Sequence, residues 1–197
     1  MRKVSSIALV LVLSMAGLAQ AQNTREPVSP QKAMEMMARA ATPGDEHKAL
    51  NHMVGTFDVK MKYWPATGAA PMESTGKSVN EWVLGGRWVQ QRYDGNFMGQ
   101  PFSGIGYTGY DNVTHMYVAT WMDTMSTSIM SSHGNPDVSG KVYTFTSIMN
   151  DPVSGEGTQV DSKVTVTDAD HHTMEMWGAG PDGKVYKMME IAYTRKK

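Results

Sequence analysis

The 197-residue chain has no cysteine at all. That absence excludes disulfide staples, thiol nucleophiles, iron–sulfur clusters and thiolate zinc sites, so packing alone must hold the fold. Long hydrophobic runs are missing too. The most apolar stretch, Ile7 to Leu18, is broken by Ser14 and Gly17 and falls short of the about 18 residues a membrane-crossing helix needs. Strong charge of either sign is lacking, with 18 basic residues against 19 acidic ones. The longest basic run is Arg195-Lys196-Lys197, too small for the electrostatic footprint of nucleic-acid binding. Leucine and isoleucine are scarce: beyond residue 21 there are two and four, against 16 methionines.

What the apolar stretch does fit is a leader. Arg2 and Lys3 precede it, and Ala19-Gln20-Ala21 supplies the small-x-small pattern of a signal peptidase site. Residues 1–21 therefore read as a cleavable signal peptide cut after Ala21, and the expected location is the periplasm or the medium. No cysteine stands at the cut to carry a lipid, so no membrane anchor is expected after cleavage. Removing Arg2 and Lys3 leaves 16 basic and 19 acidic residues, a formal charge of −3. The remaining 176 residues are long enough for a single well-buried core.

Residues 22–44 read as a flexible lead and a short helix. Ser29 is placed to cap, Pro30 to occupy the first helical position, and Gln31 to Ala41 to continue until Thr42-Pro43-Gly44 stops them. Met34, Met37 and Ala41 share one face. A second short helix is expected from Asp45 to Met53, with acidic residues at its start and Leu50, Met53 and Val54 on its apolar side.

From Gly55 the pattern changes to alternation broken by turns. About ten strands are expected, from Phe57–Trp64 through Gly76–Val83, Arg87–Tyr93, Gly104–Tyr110, Met116–Asp123, Thr127–Ser132, Val142–Met149, Gln159–Thr167 and Thr173–Gly178 to Val185–Thr194. Turn chemistry separates them at Leu84-Gly85-Gly86, Asp94-Gly95-Asn96, Tyr110-Asp111-Asn112, Gly134-Asn135-Pro136-Asp137, Asp151-Pro152 and Pro181-Asp182-Gly183. Strands at this spacing, with no helical period between them, indicate an all-β sandwich or barrel and not a parallel α/β sheet.

The order of short motifs adds a resemblance. A helix with His47 and Leu50 is followed by Val54-Gly55-Thr56-Phe57, Leu84-Gly85-Gly86-Arg87, Gly99-x-Pro101-Phe102, Gly109-Tyr110-Asp111 and Thr120-Trp121-x-Asp123. Gly180-Pro181-Asp182-Gly183 and Met189-Glu190-Ile191-x-Tyr193-Thr194-Arg195 complete the series. Over residues 45–195 this resembles the bacterial domain-of-unknown-function family numbered 1579, whose members are often exported and are placed among calycin-like barrels. The resemblance implies an all-β, lipocalin-like (calycin) antiparallel up-and-down β-barrel of about ten strands, occupying residues 45–197 behind one or two short helices; it implies no reaction. A looser similarity to lipocalins implies that Arg195 packs over Phe57, which stands after Gly55-Thr56 where lipocalins have tryptophan.

Few motifs carry specific chemistry. Gly104-Ile105-Gly106-Tyr107-Thr108-Gly109 spells the dinucleotide fingerprint, but a turn follows where the fingerprint needs a helix N-terminus, so glycines at a barrel bend are expected. His47 and His52 lie about 140° apart around a helix and cannot chelate from one face. His172, Met174 and Met176 share a strand face, and soft thioethers suit Cu(I), yet methionine spread along the whole chain reads first as core filler. No Gly-x-Ser-x-Gly elbow is present.

The remaining expectation is a small-molecule pocket: apolar walls with a few oriented polar groups. Trp121 and Asp123 share a face, as do Glu175 and Trp177, and Arg87 and Glu190 fall in the family-like stretches. These six are the candidate ligand-binding residues, for a small, partly apolar molecule, with no metal site and no cofactor assigned. Three other readings stay open: metal handling through Met and His, a hydrolase or isomerase using Asp123, Glu175 or Glu190, and a closed barrel that contacts a protein partner. Alternation alone does not say which face is inside.

Overall fold

The computed structural model describes residues 28–150, 155–180 and 182–197. The leader, most of the lead, the Asp151-Pro152 turn and Pro181 lie outside the described residues. Helix α1 spans Pro30–Ala41, with the Ser29 side chain accepting from Lys32 N at 3.3 Å and Pro30 in the first turn. Helix α2 (Asp45–Ala49) runs into a 3-10 turn at Leu50–Met53, together covering the expected second helix.

Ten strands follow. They are β1 (Gly55–Tyr63), β2 (Met72–Val83), β3 (Trp88–Phe97), β4 (Gln100–Asp111), β5 (Met116–Asp123), β6 (Met130–Pro136), β7 (Val142–Asn150), β8 (Gly157–Val166), β9 (His171–Ala179) and β10 (Val185–Arg195). Each pairs antiparallel with its neighbours in sequence, and β1 pairs with β10, Phe57 opposite Arg195, to close an up-and-down barrel. Closure leaves no edge strand exposed to foreign pairing.

Two expected turns fall inside strands. Asp94-Gly95-Asn96 continues β3, because Gly95 faces Gly76 across β2 and the two bare Cα positions accommodate the Tyr93 side chain; a Cβ on either would meet its hydroxyl at 2.3 to 2.5 Å. The reversal occurs instead at Met98-Gly99, both at positive φ, as a two-residue hairpin requires. Likewise β6 runs through Pro136, and the chain turns at Asp137, whose carboxylate accepts from Ser139 and Val142 N.

Alternation assigns the two faces. Phe57, Val59 and Met61 on β1, Val89 and Tyr93 on β3, Tyr117 on β5, Tyr143 and Phe145 on β7, Val160 on β8 and Tyr193 on β10 are buried in the lumen. All but Val160 fall into two clusters, one against the α2 end and one running along the lumen. Leu50 reaches from the 3-10 turn into the first, against Val89, Tyr117, Tyr143 and Phe145, so this turn and α2 plug that end. The Tyr117 hydroxyl donates to Glu46 O at 2.9 Å and Asn80 Nδ2 to Met53 O at 2.8 Å, tying the plug to the wall. The second cluster, Phe57, Val59, Met61, Tyr93 and Tyr193, extends through Phe97, Phe102, Trp121 and Met174 toward the opposite end, which no helix among the described residues covers.

Helix α1 stands apart. None of its residues is buried, and Met34 and Met37, which share a face, are exposed to solvent. Its C-terminus is held by Asn112 Nδ2, which donates to Arg39, Ala40 and Thr42 carbonyls, and by Arg87 Nη2, which donates to Ala41 O at 2.6 Å.

Candidate functional site

One arc of the open mouth, from β1 to β5, carries inward aromatic residues near its strand ends. Tyr63 ends β1, Phe97 ends β3, Phe102 is the third residue of β4, and Tyr93 lies deeper on β3. Their rings form a chain: Tyr63 to Phe97 at 5.2 Å, Phe97 to Phe102 at 5.7 Å and Phe102 to Tyr93 at 5.6 Å between centroids. Edge-on and tilted contacts of this kind fix ring orientation as well as burying surface. A cavity of 80 Å³ opens here, lined by Tyr63, Met72, Glu73, Ser74, Phe97, Met98 and Gly99. The Tyr93 hydroxyl is buried without a hydrogen-bond partner.

Trp121 and Asp123 complete the mouth on β5. The indole lies over Gly104 and Gly106 of β4, where a Cβ would stand 2.2 and 3.0 Å from ring atoms. Two glycines of the false dinucleotide fingerprint are thus the floor beneath Trp121, and the third, Gly109, lies against Trp88. Trp121 Nε1 donates to Asp123 Oδ2 at 2.8 Å, and Met125 N to Asp123 Oδ1 at 2.9 Å. These two bonds hold the carboxylate on the inner face.

The other four sequence candidates are elsewhere. His172, Met174, Met176 and Gly178 of β9 face the lumen, which puts Glu175 and Trp177 on the outer wall, and Glu190, paired with Glu175 across β10, beside them. There Glu175 bonds Lys163 at 2.9 Å and Lys187 at 3.2 Å, Lys187 also bonds Glu190, and the two ammonium groups sit over Trp177 and Trp64. The lysines hold the Glu175 carboxyl below its ordinary pKa. Arg87 is at the plugged end, donating to Leu84 and Ala41 carbonyls. The structure therefore brings together Trp121 with Asp123, and separately Glu175, Trp177 and Glu190. The carboxylates considered for acid–base work are on opposite faces of the wall.

His172, His52 and His47 lie at the plugged end. The His172 ring stacks on Tyr193 at 4.4 Å and meets Phe57 and His52 edge-on at 5.0 and 5.9 Å. Burial, with His52 and Arg195 adding like charge, pushes its pKa down to about 3. His47 Nδ1 accepts from Gly44 N at 3.1 Å. Among the described residues, no group of three or more His, Asp or Glu side chains could hold a metal ion. A larger groove of 220 Å³ lies outside the barrel beside α2, but its polar groups already bond one another: Trp82 Nε1 to Asn51 Oδ1, and Lys48 to Asp45.

Sequence reasoning missed the aromatic chain at the mouth. Its signal was present: Tyr63, Phe97 and Phe102 each flank a turn, at positions whose parity matches the buried residues of their strands.

The family model described as "Protein of unknown function (DUF1579)" matches residues 42–195. The chain belongs to this family. No curated protein matches the sequence. Among solved structures, Rv2717c from M. tuberculosis superposes with a TM-score of 0.59 at 14% identity, covering 79% of this chain and all (100%) of that one. At that identity the likeness is one of fold. A redesigned β-barrel, b11L5F_LGL (TM-score 0.38, 15% identity, 81% of this chain and 96% of that one), is more distant. So is EF1p2_mFAP2b bound to DFHBI (0.40, 12%, 77% and 99%). Both superpose too loosely for residues to be carried across.

Proposed function

We propose that this DUF1579 member binds a small, partly apolar molecule in its lumen, taken in through the mouth between Tyr63, Phe97 and Phe102. The observation that carries this reading is the asymmetry of the two ends: one is plugged by Leu50 and the α2 segment, while the other is left uncovered by the described helices and is lined by aromatic side chains along its β1–β5 arc, beside a cavity. Apolar walls with few oriented polar groups are the chemistry of a small-molecule site. The cavity of 80 Å³ is roughly the volume of two to three waters, so the ligand inserts a compact group there. The rim methionines Met72 and Met98, both largely exposed, are flexible enough to move aside for the rest.

Non-denaturing mass spectrometry of the protein purified from its host tests the reading. The expected result is a co-purifying mass that is lost in Ser74→Phe, whose ring fills the cavity. A bare protein mass, together with no binding in a screen of small aromatic compounds, counts against it.

We also propose that residues 1–21 are removed on export and that residues 45–197 act as the barrel domain outside the cytoplasm. The basic n-region, the short apolar run and Ala19-Gln20-Ala21 support this. An N-terminus at Gln22 in protein recovered outside the cytoplasm is the expected finding; an intact Met1 start overturns it.

A further inference from the structure

Resting on the lumen-binding reading, we propose that the ligand is a compact organic cation, an ammonium group carried on an apolar or aromatic body, and that Asp123 is its counter-charge.

The inner face of the barrel is almost free of charge. Through all ten strands the inward positions carry aliphatic, thioether, aromatic, hydroxyl, amide and imidazole groups, and Asp123 is the one carboxylate among them in the described residues. The one inward cation on the strands, Arg195, is at the opposite, plugged end. Its guanidinium is taken up by the carbonyls of His52, Val54 and Ala169 and by Asp170 at 3.2 Å. No lysine or arginine pairs with Asp123 among the described residues, whereas Glu175 and Glu190 on the outer wall share Lys187. The two hydrogen bonds from Trp121 and Met125 orient Asp123 but bring no positive charge.

The surroundings suit the same occupant. Trp121, bonded to the carboxylate, together with Phe102, Phe97, Tyr93 and Tyr63 lines the β1–β5 arc of the mouth with aromatic rings. Ring faces attract ammonium groups, most strongly where water is excluded. An anionic ligand would meet the Asp123 carboxylate with no cation to offset it.

The test compares phenyltrimethylammonium with its neutral isostere tert-butylbenzene on the full protein, by calorimetry and tryptophan fluorescence. Wild type is expected to bind the cation at least about tenfold more tightly. In Asp123→Asn, which keeps an acceptor for Trp121 and Met125, the preference is expected to vanish while Asp123→Glu retains it. Asp94→Asn, removing a carboxylate of the outer face bonded to Ser103, is expected to leave it intact. Equal affinity for both probes in wild type overturns the cation inference and leaves lumen binding standing. If neither probe binds, both readings fall. Loss of the preference in Asp94→Asn would assign it to general surface charge and overturn the inference.

Discussion

The guanidinium of Arg195 lies over the ring of Phe57, 4.7 Å from its centroid. The two face each other across the seam where β10 meets β1. The same guanidinium donates to the carbonyls of His52, Val54 and Ala169, so one side chain joins the last strand, the plug and the β8–β9 turn. Gly55, at φ +134°, leaves the room: a Cβ there would stand 2.3 Å from Arg195 Nη1. The seam of the barrel and the plug of its closed end are thus one structural unit.

Arg195→Lys is expected to destabilise the fold by about 2 kcal/mol, because a point ammonium cannot span three carbonyls that a planar fork reaches. Gly55→Ala, which keeps Arg195 but crowds it and strains the backbone, is expected to cost a similar amount. Urea unfolding of the two single variants and the double variant checks this. Simple additivity of the losses would count against a shared unit.

At the other end Gly104→Ala is expected to displace the Trp121 indole. The new methyl would stand 2.2 Å from the ring, and overpacking a tight core site costs about 1 to 3 kcal/mol. The indole would also lose its bond to Asp123, so tryptophan emission should change together with stability. Unchanged emission and an unchanged urea midpoint would show that the glycine has no such role.

Strand number and order were legible because alternation and turn residues recur along the whole chain, whereas closure into a barrel was implied only by the resemblance. The family-like motifs fall at the plug, the seam and the hairpins that fix the barrel. The sides of β9 were not legible. His172, Met174 and Met176 share one face and Thr173, Glu175 and Trp177 the other. With methionine taking the place of leucine, the thioether row was no more apolar than the face with tryptophan. The deciding fact is nonlocal: Lys163 of β8 and Lys187 of β10 flank Glu175 only after the barrel has closed. Asp123 shows the converse, a charge kept inside by a bond to the tryptophan two residues before it. Gly95 misled for a related reason, since a glycine that makes room for a ring reads in sequence like one that makes a turn.

The outer cluster of Glu175, Lys163, Lys187 and Glu190 is expected to matter little. Glu175 is about one-fifth exposed and Lys163 about two-fifths, and solvent-screened pairs of this kind contribute up to about 1 kcal/mol. Glu175→Gln should shift the urea midpoint only slightly and leave the affinity of any lumen ligand unchanged. A loss of binding in this variant would move the site to the outer wall.

His172 provides the pH-dependent term. Its pKa in the folded protein is pushed down to about 3, from an ordinary value of 6.5, by burial against Tyr193 and Phe57 and by the neighbouring His52 and Arg195. His52 is shifted in the same direction, chiefly by burial. When the folded pKa is depressed, the unfolded chain takes up the proton first. The stabilisation is therefore full above about pH 6.5 and is lost as pH falls toward the folded value. Between pH 6.5 and about 5 carboxylates stay largely ionised in both states, so a slope in that window reports the buried histidines. His172→Phe keeps a ring against Tyr193 but cannot take a proton. It is expected to reduce the slope of unfolding free energy by at most about 1.4 kcal/mol per pH unit, with the residual slope due to His52. The measurement is a series of urea titrations from pH 7.5 to 5; parallel curves for wild type and variant would mean that His172 does not titrate between the two states.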